Sequence, residues 1–225
     1  MLNFIDTNVL VGYCFEAHNY NDQCQILEKM TNLWLSEKVL IEWNRKERII
    51  QRELDNKILR HSQDIRRKFP DMIEIDHRER LIGIADIKVR PFFQRLYLEI
   101  VIYPILRDDL CNMIDNISLS MQSGKSLRLS KLMSLCQKHN RVNKYPSKES
   151  ALAACVHNGD GDRGIILDAH DLVLDPILNA QNDDLQFWTF DGGISSTCKD
   201  KILSNLKIKD VIDLKHYLPI TPPSH

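Results

Sequence analysis

The chain has 225 residues, of which 43% are hydrophobic and 27% are charged, and its formal net charge is -1. This is the composition of an ordinary globular protein with one domain, or one domain with an insertion. The longest apolar stretch in the interior of the sequence is interrupted by Glu99 and Pro104 and is far shorter than the roughly 20 residues that span a bilayer.

The first predicted element is a short buried strand, LNFID, followed by a loop and an amphipathic helix that reaches Met30. The opening MLNFIDTNVLV has no basic segment and carries Asp6 in its apolar run, which argues against a signal peptide. We therefore expect a cytoplasmic protein. NLWLS is the second strand, and Ser36 is placed to cap a long helix that should stop at Phe69-Pro70.

The stretch from about residue 70 to 146 is predicted to be mostly helical. It is followed by a second capped helix at 147–158, a loop at GDGDRG and an acidic helical segment. The chain then returns to a strand, LQFWTFD, a Gly-Gly turn, a short helix and a last strand near VIDL. Strands that alternate with helices predict an α/β fold with a parallel sheet, in which ligands bind beyond the carboxyl ends of the strands.

Cysteine and histidine residues give no sign of a metal site or a disulfide framework. The six cysteines and eight histidines are dispersed and form no C-x-x-C pair or H-E-x-x-H motif. We expect the cysteines to be reduced. The sequence also lacks a glycine-rich phosphate-binding loop.

Acidic residues recur where a strand is predicted to end or on a helix near that edge. They are Asp6, Glu42, the group Asp168, Asp171 and Asp175, and Asp191. Taken singly, each acid can equally be a helix cap or a solvated loop residue. Carboxylates that lie close together must be protonated or neutralised by cations, and oxygen ligands of this kind suit Mg²⁺ or Mn²⁺.

Three segments in this order resemble the PIN-domain nuclease family: FIDTNVLV, LWLSEKVLIEW and FWTFDGG. They match the family's D-T-N motif, its serine and helix-borne glutamate, and its closing T-x-D, and they cover about residues 1–45 and 165–215. The resemblance implies a three-layer α/β/α fold with a central mostly parallel sheet, as one PIN-like domain over residues 1–225. The helical stretch at about 70–146 would be an insertion that is longer than the family usually has.

The resemblance also implies an activity, a metal-dependent endonuclease that hydrolyses phosphodiester bonds, with RNA preferred to DNA. The cofactor would be Mg²⁺ or Mn²⁺. Its implied ligands are Asp6, Glu42, Asp171 and Asp191, with Asp175 as a helper. The third acid stays open, since HDLVLDPIL fits Asp171 whereas LDAHD nominates Asp168. Asn8 and Thr189 would orient the metal ligands or the phosphate, and many members of the family form homodimers.

Other classes of protein remain as alternatives to a ribonuclease. A PIN-like fold without catalysis would be an RNA-binding or protein-binding module, and a DNA-directed nuclease of the flap-endonuclease kind would use the same acids. A haloacid dehalogenase-type phosphatase also begins with a strand that ends in Asp. That class needs a second Asp two residues later, where this chain has Asn8.

Basic residues are concentrated in the middle of the sequence. Residues 44–150 contain 22 Lys and Arg against 14 Asp and Glu, and Met121 to Lys148 contains no acid. We predict that Lys138, Arg141 and Lys144 contact the RNA backbone, with Tyr145 or His139 available to stack on a base. The alternatives are a solvated helix face or a substrate path along the preceding long helix. That second path would use Arg45, Arg48, Arg52 and Arg60.

Overall fold

A computed structural model of the protein describes residues 1–156 and 160–217. Over these residues the chain is an α/β protein whose central five-stranded sheet is parallel throughout, as the sequence predicted. This architecture is compatible with three α/β/α layers. Among the described residues, no helix is long and apolar enough to cross a membrane.

The central sheet has the strand order β5-β2-β1-β6-β7. Two further strands, β3 and β4, form a separate antiparallel pair. The strands are β1 (Leu2–Ile5), β2 (Leu33–Ser36), β3 (Met72–Ile73), β4 (Ile105–Leu106), β5 (Cys136–His139), β6 (Leu185–Thr189) and β7 (Asp210–Asp213).

The helices follow the strands in the alternation that parallel pairing requires. Short 3₁₀ or π turns occupy Gln25–Lys29, Ile75–His77, Gly193–Thr197 and Leu214–His216. The helices are α1 (Thr7–Cys14), α2 (Asn21–Cys24), α3 (Glu37–Lys68), α4 (Arg78–Gly83), α5 (Arg90–Ile100), α6 (Arg107–Leu135), α7 (Pro146–Ala153), α8 (Asp160–Leu174) and α9 (Lys199–Asn205).

The inner strands have mostly apolar sequences. All four residues of β1 and of β2 are buried, as expected of parallel strands covered on both faces. Strand β5, with the sequence CQKH, lies at an edge of the sheet and buries only His139. It was not predicted, because a polar edge strand lacks the apolar run that revealed the others.

Helix α3 begins and ends where the sequence predicted. The Ser36 hydroxyl accepts the Val39 N–H at 3.4 Å, which caps the first turn, and the helix ends at Lys68, before Phe69-Pro70. Two neighbouring predictions were wrong. No loop separates β1 from its helix, because α1 starts at Thr7, and helix α8 already starts at Asp160 within the predicted GDGDRG loop. The helix predicted at 147–158 ends earlier, at Ala153, and residues 157–159 lie outside the described part of the chain.

The chain divides into two compact units. The first contains Met1–Val11, Gln23–Arg45 and the described residues from Leu129 onward, and it holds the central sheet. The second contains Gly12–Asp22 and Lys46–Arg128 and is mostly helical. This helical unit starts earlier and ends earlier than the insertion expected at about 70–146.

All six cysteines are free thiols. Five are buried and Cys136 is partly exposed. Burial raises the pKa of Cys14 and of Cys136 to about 12. Thiols with such pKa values stay protonated and are poor nucleophiles.

Candidate active site at the carboxyl edge of the sheet

Asp6 follows the central strand directly and joins it to the neighbouring strand. Its side chain is almost fully buried. One carboxylate oxygen, Oδ1, accepts the Thr7 N–H at 2.6 Å, and the other, Oδ2, accepts the Thr189 hydroxyl at 2.8 Å. The Asp6 carboxylate therefore links the ends of β1 and β6.

Asn8 and Thr189 complete this link. The Asn8 side-chain amide donates to the Thr189 hydroxyl oxygen at 3.1 Å, and its carbonyl oxygen accepts the Phe190 N–H at 3.0 Å. The Thr189 oxygen also accepts the Asp191 N–H at 2.9 Å. The D-T-N and T-x-D motifs thus hold each other in place, while the predicted contacts of Asn8 and Thr189 with substrate stay a prediction.

Glu42 reaches the same edge from α3. The Thr7 hydroxyl donates to its Oε2 atom at 2.7 Å, so the residue after Asp6 fixes the orientation of the glutamate. Glu42 is partly exposed. The structure therefore brings Asp6 and Glu42 to one edge, with Thr7 between them.

Asp191 stands at the carboxyl end of β6, next to that of β1. Its Oδ1 atom accepts the N–H groups of Gly193 and Ile194 at 2.7 and 3.3 Å, and the side chain is partly exposed. A Cβ atom at Gly193 would lie 3.0 Å from that oxygen. The glycine therefore gives room for the carboxylate to fold over the turn.

The pKa of Asp6 is raised from an ordinary value of 3.8 to about 7. Burial is the largest cause, the Thr189 hydrogen bond opposes it, and the negative charges of Asp162 and Glu42 raise the pKa further. Asp162 lies in the first turn of α8 and was not predicted as a site residue, because GDGDRG was interpreted as a loop. An acid just before the apolar run Ile165-Ile166-Leu167 was the available signal of a helix start.

Asp171 is held by four donors from the segment between β5 and α7. It lies on α8 nine residues after Asp162, which is about 13 Å along the helix axis. Burial opposes its ionisation, but these hydrogen bonds outweigh it and lower the pKa of Asp171. The donors are Tyr145 Oη at 2.5 Å, Asn143 Nδ2 at 2.9 Å, His139 Nε2 at 3.1 Å and the Val142 N–H at 3.2 Å.

The other acids of that helix and its following turn also have partners within the protein. Asp168 Oδ1 lies 3.0 Å from Arg141 Nε, with both side chains largely buried. Burial raises the pKa of Asp168, against a hydrogen bond from Ser36. Asp175 Oδ1 accepts the N–H groups of Ile177 and Leu178 at 2.9 and 3.0 Å and so caps the turn after α8.

The predicted cationic segment is largely neutralised by acids. Four of its cations form ion pairs, which leaves Lys138, Lys144 and Lys148 without a recorded acid partner among the described residues. Lys138 and Lys144 are exposed, and their contact with RNA stays a prediction. The pairs are Lys125 with Glu47 at 2.6 Å, Lys131 with Glu28 at 2.6 Å, Arg141 with Asp168 at 3.0 Å, and Arg128 with Glu16.

The carboxylates at this edge offer oxygen atoms, the type of ligand that hard divalent cations prefer. Oxygen ligands suit Mg²⁺ and Mn²⁺, and the raised pKa of Asp6 is the response of a buried acid without a neutralising charge. In residues 1–156 and 160–217, no group of three or more His, Cys, Asp or Glu is arranged to hold a metal ion. The chemistry of the donor set fits a cation, and a complete set of ligands is not assembled.

The resemblance to PIN-domain nucleases rests on sequence motifs and on the positions of the acids that carry them. Asp6, Glu42 and Asp191 are linked through Thr7 and Thr189, whereas Asp171 is engaged by four other donors, one of which is His139 at the end of β5. In comparisons with protein-family models, curated proteins and solved structures, no match to this chain was found.

Proposed function

We propose that this protein is a divalent-metal-dependent endonuclease with a PIN-like fold, and that RNA is its substrate. The observation that carries the proposal is the environment of Asp6. This carboxylate is buried at the end of the central strand, and two further acids act on it. An enzyme that binds cations needs such a concentration of negative charge, whereas a structural carboxylate is normally paired.

We assign the metal to Asp6, Glu42, Asp162 and Asp191, with Mg²⁺ or Mn²⁺ as the cation. Bound there, the cation would activate a water molecule and neutralise charge on the scissile phosphate. The protein's own contribution is orientation. Thr189 and the Thr7 N–H fix the two oxygens of Asp6, and the Thr7 hydroxyl fixes Glu42. Such supporting hydrogen bonds hold ligands in a productive geometry.

Asp162 replaces Asp171 in this proposal for a physical reason. The four donors on Asp171 stabilise its charge without a metal and occupy both of its oxygens. The charge of Asp162 instead acts on Asp6. We therefore give Asp171 the role of fixing the segment from His139 to Tyr145, and Asp175 the role of capping its turn.

The proposal can be tested with labelled RNA and DNA substrates in Mn²⁺, Mg²⁺ or chelator. We expect cleavage of RNA only when a divalent cation is present. Asp191→Asn and Asp162→Asn should each lower the single-turnover rate by about 100-fold or more, since each removes a charge with little change in volume. Asp200→Asn is the matched control, because Asp200 is an exposed acid on α9, and it should leave the rate unchanged.

A non-catalytic RNA-binding module is the second candidate. The lack of a complete set of metal ligands among the described residues favours it. That function predicts the same affinity for RNA in the presence of a divalent cation and in the presence of chelator. It also predicts that the RNA is not cleaved. Cation-independent binding together with intact RNA after long incubation would therefore replace the nuclease proposal with this one.

A further inference from the structure

The outer face of helix α3 carries arginines and apolar residues and no acid. Within the second unit, the fully exposed residues of this helix from position 48 to 63 are all cationic, apolar or amide-bearing. Ile49 is 69% exposed and Leu59 is 47% exposed, so both apolar side chains are accessible to a ligand. The residues are Arg48, Ile49, Arg52, Asn56, Leu59, Arg60 and Gln63.

Among the described residues, the arginines of this face have no acid partner and no backbone carbonyl partner, whereas the other arginines that lack an acid partner in the same unit, Arg78, Arg80 and Arg90, bond to carbonyl oxygens. Within the described part of the chain, Arg48, Arg52 and Arg60 form no ion pair and no side-chain hydrogen bond. Cations beside them are neutralised, since Lys57 pairs with Asp86 at 2.8 Å and Arg66 with Asp115 at 2.9 Å. The positive charge of this face is therefore available to an external anion.

The nearby acids have partners of their own within the unit: Asp55 Oδ1 accepts from the Gln51 side-chain amide at 2.8 Å, and two other acids are engaged by lysines. Glu53 lies 2.7 Å from the Lys88 ammonium, and Asp64 lies 3.2 Å from that of Lys68. A ligand with negative charges repeated along its length would meet only guanidinium groups here. Guanidinium groups bind phosphate oxygens in a bidentate manner.

We propose that this arginine face, defined by Arg48, Arg52 and Arg60 with Ile49 and Leu59, binds the sugar–phosphate backbone of single-stranded RNA. The inference rests on the proposed function and adds to it a substrate contact outside the cleavage position. Twelve residues separate Arg48 from Arg60, which is about 18 Å along a helix. That length can contact several successive phosphates.

The chemistry of the face favours a single strand over other anionic partners. The unstacked bases of a single strand can contact Ile49 and Leu59, whereas a duplex keeps its bases in the stack and offers mainly phosphates and sugars. The continuity of α3 also favours the nuclease's own substrate. The same helix carries Glu42, six residues before Arg48 in the sequence. Arg45, also exposed, lies between them.

The test is RNA binding by a variant with Arg48→Gln, Arg52→Gln and Arg60→Gln. Glutamine removes the charge and keeps a helix-forming side chain. Both proteins carry Asp6→Asn and are measured in chelator, so that cleavage cannot affect the result. Anisotropy of a labelled oligouridine of about 20 nucleotides should show a Kd raised about tenfold or more, and a salt slope lower by about 2, since each lost contact removes about 0.7 counterions.

Two controls separate this face from total charge and from misfolding. Lys29→Gln, Lys201→Gln and Lys207→Gln remove the same charge at exposed positions elsewhere and should change Kd less than about twofold. Arg48→Lys, Arg52→Lys and Arg60→Lys keep the charge and should keep most of the salt slope. The inference is overturned if the Arg→Gln variant binds RNA with the parent's Kd and salt slope. It is also overturned if the control with three Lys→Gln substitutions weakens binding as much as the Arg→Gln variant does.

Failure of this inference can be told from failure of the proposed function. With Asp6 intact, cleavage of a tetranucleotide should be the same in the parent and the glutamine variant, while cleavage of long RNA at subsaturating enzyme should fall in the variant. Cleavage by the parent with arginine-independent RNA binding would overturn the inference alone. Arginine-dependent RNA binding without cleavage would overturn the nuclease alone. Tighter arginine-dependent binding of a polyglutamate peptide than of RNA would overturn RNA as the occupant.

Discussion

Replacing Asp6 by Asn should stabilise the metal-free protein above neutral pH. Raising the pKa from 3.8 to about 7 corresponds to about 4 kcal/mol of unfavourable free energy for the charged form. Asn removes the charge but also weakens one of the hydrogen bonds from Thr7 and Thr189, which costs about 1 kcal/mol. We therefore expect a net gain of about 1–3 kcal/mol, or a Tm higher by about 3–10 °C.

The sign of the pH dependence distinguishes this explanation from a purely structural one. Because the folded-state pKa of Asp6 is raised, its stabilising contribution is complete below the unfolded pKa and is lost as the pH rises through about 7. Calorimetry in chelator should show the gain from Asp6→Asn at about pH 8 and its disappearance near pH 4, close to the unfolded pKa. If Asp6→Asn lowers the Tm by the same amount at both pH values, the reasoning is refuted and Asp6 serves only as a hydrogen-bond acceptor.

Asp171→Asn serves as a control, because it should change the stability of the fold in the opposite direction. Its pKa is lowered, so its charge stabilises the fold above the unfolded pKa, and that contribution is lost as the pH falls through the folded pKa. Removing a carboxylate that accepts from Tyr145, Asn143, His139 and Val142 should cost about 2–4 kcal/mol near pH 7. Stability unchanged in urea denaturation would contradict the structural role of Asp171.

Three further predictions concern cations, a buried ion pair and a buried histidine. Mn²⁺ at about 100 times its Kd should stabilise the parent by about 2.7 kcal/mol and leave Asp6→Asn unaffected in a thermal-shift titration. Arg141→Gln should cost about 3 kcal/mol in urea denaturation, because it removes the ion-pair partner of the buried Asp168, whereas Lys138→Gln should have no effect. Burial lowers the pKa of His61 to about 4, so stability should fall by about 3 kcal/mol between pH 6.5 and 4. His61→Gln should remove about 3 kcal/mol from the fall in this pH range while keeping a hydrogen bond to Tyr97, and the part due to His18, whose pKa burial also lowers to about 4, should remain.

The central strands could be predicted because burial on both faces leaves a short, mostly apolar run. This holds for LNFI and LWLS, and LQFWT was found by the same signal. The CQKH strand could not be found in this way, because at a sheet edge the backbone pairs on one side and polar side chains face solvent. Its sequence pattern is therefore close to that of a loop.

The acids that follow strands could be predicted, whereas those on helix α8 could not. Asp6 and Asp191 are located by the strands that precede them, and Glu42 by the helix that Ser36 caps. Choosing among Asp162, Asp168 and Asp171 requires knowing which face of α8 meets which strand. Arg141 pairs with Asp168 and Tyr145 bonds to Asp171. Each partner is more than twenty residues away in sequence, so no local pattern predicts these contacts.

The hydrogen bond between Thr189 and Asp6 has a consequence for how the chain is made. These residues are 183 positions apart, and at ribosomal rates the intervening chain takes about 10–40 s to emerge. Until Leu185–Thr189 has been synthesised, the first strand lacks its neighbour on one side, since β6 lies between β1 and β7. The hydrogen-bonded link between the ends of β1 and β6 is therefore absent from every nascent or truncated chain that stops before that strand.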